Sequence, residues 1–225
     1  MKKEFDGIDF DKMQIKSGSR VRVIVDGEIN SVSKRSTSKR ILLGKNYAWK
    51  YATQRTFEQE KDIYEQIQHL DQIVLESSFI KKNSHYLIKQ QKTNSILGFN
   101  DYINTKKNTW KLFNPPYTKE ILVDLANILV LLNRAKIEVI DLDHSFTLSD
   151  IGYHSGHWKL FDFDFMHRPP RQPLTIEELV EWFIPPYSTV EKGCDKNIDP
   201  TYFDKLKDKD IAKLSKAFYE ELCKN

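Results

Sequence analysis

The stretch KNYAWKYATQRTFEQEKDIYEQIQHLDQIV, residues 45–74, sets a lysine in an apolar strand-like segment just ahead of an acidic helical pattern. Lys50 lies between Trp49 and Tyr51, where residues alternate across a pleated strand. Removing an ammonium from water is unfavourable unless an anion meets it. Two readings follow: Lys50 snorkels to water from an edge strand, or it is buried against a carboxylate or a phosphate. From Thr56 to Leu70, Phe57, Ile63, Ile67 and Leu70 recur at helical spacing, which predicts a helix with Thr56 as its N-cap and acidic residues in its first turns. Glu60 on that helix can supply the carboxylate, and a bound nucleotide the phosphate.

Outward from this stretch the texture changes from strand-rich to helix-rich. Upstream, RVRVIVDGEI (20–29) predicts a hairpin turning at Asp26-Gly27, and RILLG with KNYAWKYA predicts a strand pair joined at Gly44-Lys45-Asn46. Downstream, QIVLESSFI, HYLIKQ and SILGFNDYI read as three further strands. After NPPY, the run TKEILVDLANILVLLNRAK (118–136) is the longest helical pattern, capped by Thr118 and basic at its end. IEVIDLD and HWKLFDFDF read as two apolar strands joined through the turn-like HSG, and LTIEELVEWF reads as a helix capped by Thr175. The fold class is α+β, with the change of texture near residue 103.

Both apolar strands carry aspartates. In LFDFDF the aromatic residues face a core and leave Asp162 and Asp164 on the other face. Clustered carboxylates repel, and a hard cation such as Mg2+ gives them a reason to coexist. Asp141 and Asp143 repeat the one-apart arrangement, and Asp150 follows in LSDIGY. His144, His154 and His157 lie nearby, but their spacing matches no metal motif.

Composition bounds the class. The 225 residues are 40% hydrophobic and 30% charged, enough for one sizeable core or two small lobes. Lys+Arg number 35 against 32 Asp+Glu, a net charge of +3, so no broad nucleic-acid field is expected. The chain has two cysteines, Cys194 and Cys223, far apart and without metal spacing, which predicts no disulfide framework and fits a reducing, cytoplasmic compartment. No apolar run reaches membrane length, and MKKEFDGIDFDK lacks the apolar core of a signal peptide.

The order of these residues and elements resembles the protein-kinase-like superfamily over roughly residues 20–185. That resemblance implies a two-lobed fold, with a β-rich N-lobe over about 1–103 and a reduced helical C-lobe over about 104–225. It implies an ATP- and Mg2+-dependent phosphotransferase acting on a hydroxyl acceptor, a protein Ser/Thr or a sugar. AWKYA resembles the V-A-I-K strand, and Glu60 the helix partner of its lysine. LLNRAKIEVIDL is similar to the segment ending in H-R-D-L, which makes Asp141 the acceptor-orienting residue with Asp143 in reserve. KLFDFD resembles the D-F-G strand, and Asp162 with Asp150 would then ligate magnesium. GFNDYIN would lie along the adenine, and HRPPRQP (167–173) would occupy a truncated activation region.

Three departures qualify the resemblance. Val139 and Ile140 replace the histidine and arginine of H-R-D, and Asp164 replaces the D-F-G glycine. The glycine-rich loop is absent, and NSVSKRSTSKR, with Lys34, Arg35, Lys39 and Arg40, stands in its place. The stretch after Asp162 is short for a full activation segment. Besides a plain α+β protein with no nucleotide site, two other readings remain at this point. One is a catalytically inactive kinase-like binding module. The other is a phosphatase of the haloacid-dehalogenase type, built on an aspartate-x-aspartate opening.

Overall fold

Lys50 lies on an interior strand. In the computed structural model of the chain, the described residues are 21–25, 28–32, 40–43, 47–82, 85–93, 95–97, 111–113, 116–139, 151–161, 163, 166–167, 173–184 and 193–223. They form a mixed α+β structure of small, mostly antiparallel sheets and helices. Contacts divide the chain into two compact units: residues 1–61 with 76–92, and residues 62–75 with 93–225.

The first unit holds two sheets. Strands β1 (Val21–Val25) and β2 (Glu28–Val32) pair antiparallel on either side of Asp26-Gly27, as the turn sequence predicts. The second sheet joins β3 (Arg40–Leu43), β4 (Tyr47–Ala52), β5 (Ser77–Lys82) and β6 (His85–Gln91) in the order β3-β4-β6-β5. Lys50 is flanked by Ile41 on β3 and Ile88 on β6. Helix α1 (Gln54–Ile67) begins three residues earlier than a cap at Thr56 predicts. The hydroxyl of Thr53 accepts from the N–H of Thr56 at 3.2 Å, so Thr53, not Thr56, takes the capping role, and the first turn carries no acidic residue. The side chains of Ala52, Phe57 and Ile88 are buried together, with the Phe57 ring 5.6 Å from Phe79 and 5.3 Å from Tyr86. Because Lys50 and Ala52 are two apart on β4, they point to the same face of the sheet.

In the second unit the long helix α2 (Lys119–Arg134) forms the spine. Thr118 caps it, accepting from Ile121 N–H, and Leu122, Leu125, Leu129 and Leu132 run along its buried stripe. Its end is a Schellman motif built without glycine. Lys136 N–H donates to Asn133 O at 3.0 Å and Ile137 N–H to Leu132 O at 2.9 Å, while Lys136 itself adopts φ 58°. Strands β7 (Ser95–Leu97), β8 (Lys111–Phe113), β10 (Ile151–His154) and β11 (His157–Leu160) form a sheet in the order β11-β10-β7-β8. Here the expected pairing is corrected. The partner of β11 is β10, a strand not assigned from the sequence, whereas β9 (Glu138–Val139) pairs with β12 (Met166–His167). The β10–β11 turn carries Ser155 at φ 52° and Gly156 at φ 91°, the pair of positive angles that a tight hairpin needs.

Helix α3 (Ile176–Phe183) opens on a reciprocal capping box between Thr175 and Glu178. Just before it, the Asn133 side chain accepts from Leu174 N–H at 2.9 Å and donates to Leu174 O at 3.0 Å. Helices α4 (Thr201–Asp204) and α5 (Lys209–Cys223) follow, and Phe203, Leu214, Phe218 and Leu222 join Phe183 and the α2 leucines in the core. Cys194 and Cys223 are bonded, which corrects the expectation that they stand apart. The sequence separation of 29 hid a Cα distance of 5.1 Å that only the docking of α5 creates. Closing a loop of that length contributes about 3.5 kcal/mol in the chain-entropy account. No described helix is long and apolar enough to cross a membrane.

Candidate functional site

The site begins with one ion pair. Lys50 Nζ donates to Glu60 Oε2 at 3.1 Å, and the two side chains are 2% and 0% exposed. The edge-strand reading of Lys50 therefore falls: strands flank it on both sides and its amine is buried. Two local features create the pair. The strand's alternation sends Lys50 toward the Phe57 side of the sheet, and the cap at Thr53 sets the phase of α1. Glu60 is three residues beyond Phe57, hence on the same helix face.

Two charges out of water hold each other only when geometry is good, and removing one of them strands the other. Such a pair fixes an ammonium with three N–H donors in one place, the donor chemistry that suits phosphate oxygens. Polar residues Gln90 and Ser77 are also buried in this unit, with Gln90 Nε2 donating to Ser77 Oγ at 2.8 Å across β5 and β6.

The five aspartates read from the sequence, Asp141, Asp143, Asp150, Asp162 and Asp164, lie outside the described residues, as do Lys34, Arg35, Lys39 and the GFNDYIN segment. Of Arg40, the described part is its backbone pairing with Tyr51. Structured neighbours bracket the aspartates: β9 ends at Val139, β10 starts at Ile151, and β11 ends at Leu160. Phe163, the residue after Asp162, is fully buried and its ring sits 5.7 Å from Tyr64. Tyr64, four residues along α1 from Glu60, was not singled out from the sequence. Its signal was an aromatic residue one turn beyond the key carboxylate.

Two contacts hold the hairpin that follows Asp150. Asp124 on α2 accepts from Trp158 N–H at 2.9 Å and lies 3.2 Å from His157 Nδ1. Burial raises the pKa of the Asp124 carboxyl above its ordinary value, against the lowering effect of those two hydrogen bonds. At Gly152 a Cβ would fall 2.2 Å from Thr93 Cγ2, so the start of β10 has no room for a side chain there. Among the described residues no group of three His, Cys, Asp or Glu side chains could hold a metal ion. No protein-family model and no curated protein matches the chain.

Proposed function

We propose that the chain is an ATP- and Mg2+-dependent phosphotransferase of protein-kinase-like, two-lobed architecture, acting on a hydroxyl of a protein Ser/Thr or a sugar. The observation that carries this reading is the buried Lys50–Glu60 pair on an interior strand and the following helix, the pairing on which a protein kinase relies for phosphate contact. Burying an ion pair gains a fold little over apolar residues of the same size. A phosphate-binding role explains why the pair is there.

In this reading Lys50, held by Glu60, would bind phosphate oxygens. Asp162 and Asp150 would hold magnesium, and Asp141, with Asp143 beside it, would orient the acceptor hydroxyl. Bound ATP with magnesium supplies the transferable phosphoryl group. Element order adds support: lysine strand, glutamate helix, four strands, long helix, a two-residue strand, then a hairpin leading into the Asp162 segment. The packed ring of Phe163 is the kind of contact made by the phenylalanine after a kinase metal aspartate.

The second reading, an inactive binding module of the same fold, is favoured by Val139 and Ile140 in place of histidine and arginine and by the missing glycine-rich loop. Thermal unfolding with and without ATP and Mg2+, on the native chain and on Asp162→Ala, separates the two. Nucleotide at a hundredfold its Kd adds about 2.7 kcal/mol to folding stability. For a chain of this size that raises the midpoint by roughly 5–10 °C. The expected result is a magnesium-dependent rise that Asp162→Ala loses. No rise at millimolar nucleotide overturns the phosphotransferase reading and leaves the binding module.

A further inference from the structure

We propose that the Cys194–Cys223 bond is a reversible, redox-controlled clamp that sets how firmly the end of α5 holds the strap at residues 193–195 against the head of α2. The strap is a short ladder. Tyr117 N–H donates to Gly193 O at 3.0 Å, Asp195 N–H to Tyr117 O at 2.9 Å, and Gly193 N–H to Leu222 O at 2.9 Å. Tyr117 is buried and immediately precedes Thr118, the cap of α2. The disulfide thus ties three things at one place: the last residue of α5, the strap, and the entry to the longest helix.

Three observations make the bond a switch rather than a fixed girder. The chain has two cysteines, so each has a single intramolecular partner and the bond is either made or unmade. Both cysteines are half-buried, within reach of a small thiol. The pieces they join are held independently by the ladder and by the burial of Phe218 and Leu222. Reduction therefore leaves two thiols facing each other across the same ladder, ready to close again. In the closing step two thiols lose two protons and two electrons and form one S–S bond. An external disulfide such as oxidised glutathione takes the electrons and becomes two thiols. Reduction is the reverse exchange, through a mixed disulfide.

The test uses the full chain equilibrated in glutathione buffers from reducing to oxidising, followed by alkylation and mass measurement, with amide exchange on the two end states. The expected titration is a single two-electron transition within the glutathione range. The amides of Tyr117, Gly193 and Asp195 should exchange at least tenfold faster in the reduced protein. Cys194→Ser should match the reduced protein in every buffer. Both thiols remaining alkylatable in the most oxidising buffer would overturn the clamp. So would a bond that no glutathione buffer opens, or equal exchange in the two states.

Discussion

A lysine amine and a glutamate carboxylate, both out of water and 3.1 Å apart, make the smallest part of the molecule the most consequential. Removing either partner alone leaves an uncompensated buried charge, which costs about 3–5 kcal/mol. Lys50→Met and Glu60→Leu should each lower the urea midpoint by that measure, whereas the double variant should recover most of the loss. The same double variant should show no response to ATP and magnesium. Urea titration of the four proteins, with and without nucleotide, checks both halves. Recovery of stability together with a retained nucleotide response would sink the phosphate role of Lys50 and leave a structural pair.

Elements were legible where local chemistry and tertiary packing agree. Thr118 with the leucine stripe of α2, and Thr175 with Glu178 at α3, announce their helices in sequence, and both caps form as read. Helix α1 was read three residues late because Thr53 and Thr56 are both capable caps. Their hydroxyls lie 2.9 Å apart, and Thr53 takes the free N–H. Helix α5 went unread although Ile211, Leu214, Phe218 and Leu222 recur at helical spacing. Asp208 caps its start by accepting from Asp210 and Ile211 N–H, but the interleaved lysines mask the stripe.

Strand pairing was less legible than strand presence. Nothing local in IEVIDLD says that Glu138–Val139 joins Met166–His167 instead of the nearer HWKL. Of the candidate site, Lys50 was legible because a lysine on an apolar strand calls for an anion, and Glu60, among several acidic residues of its helix, through the resemblance to the kinase glutamate helix. At the end of α2, Lys136 occupies a left-handed position that a glycine adopts freely. Lys136→Gly should therefore raise stability by about 0.5–1 kcal/mol, seen as a higher urea midpoint with unchanged slope.

At the scale of the whole chain, acid should act through the α2–α5 joint. Arg134 bonds both Asp208 and Asp210. The hydrogen bonds from Arg134 hold the Asp208 carboxyl at about 2, below its ordinary 3.8. A depressed carboxyl contributes stability that is fully present above the unfolded value and lost as pH falls through the folded one. Denaturant midpoints measured from pH 5 down to 2 should fall, and fall less steeply for Asp208→Asn. Asp124 works in the opposite sense: its raised pKa penalises the charged form in the fold, and the penalty disappears on acidification. A wild-type profile no steeper than that of Asp208→Asn would contradict the assignment of the acid limb to this joint.

The amide of Asn133 both donates to and accepts from the backbone of Leu174. Aspartate has the shape but lacks the donor, and leucine lacks both groups, so neither can make both bonds. Descent from a common ancestor should then leave a readable trace. An asparagine in the last turn of a long apolar helix, followed some forty residues later by a leucine-threonine pair with glutamate three beyond, is a pattern by which distant relatives can be recognised when overall identity has faded.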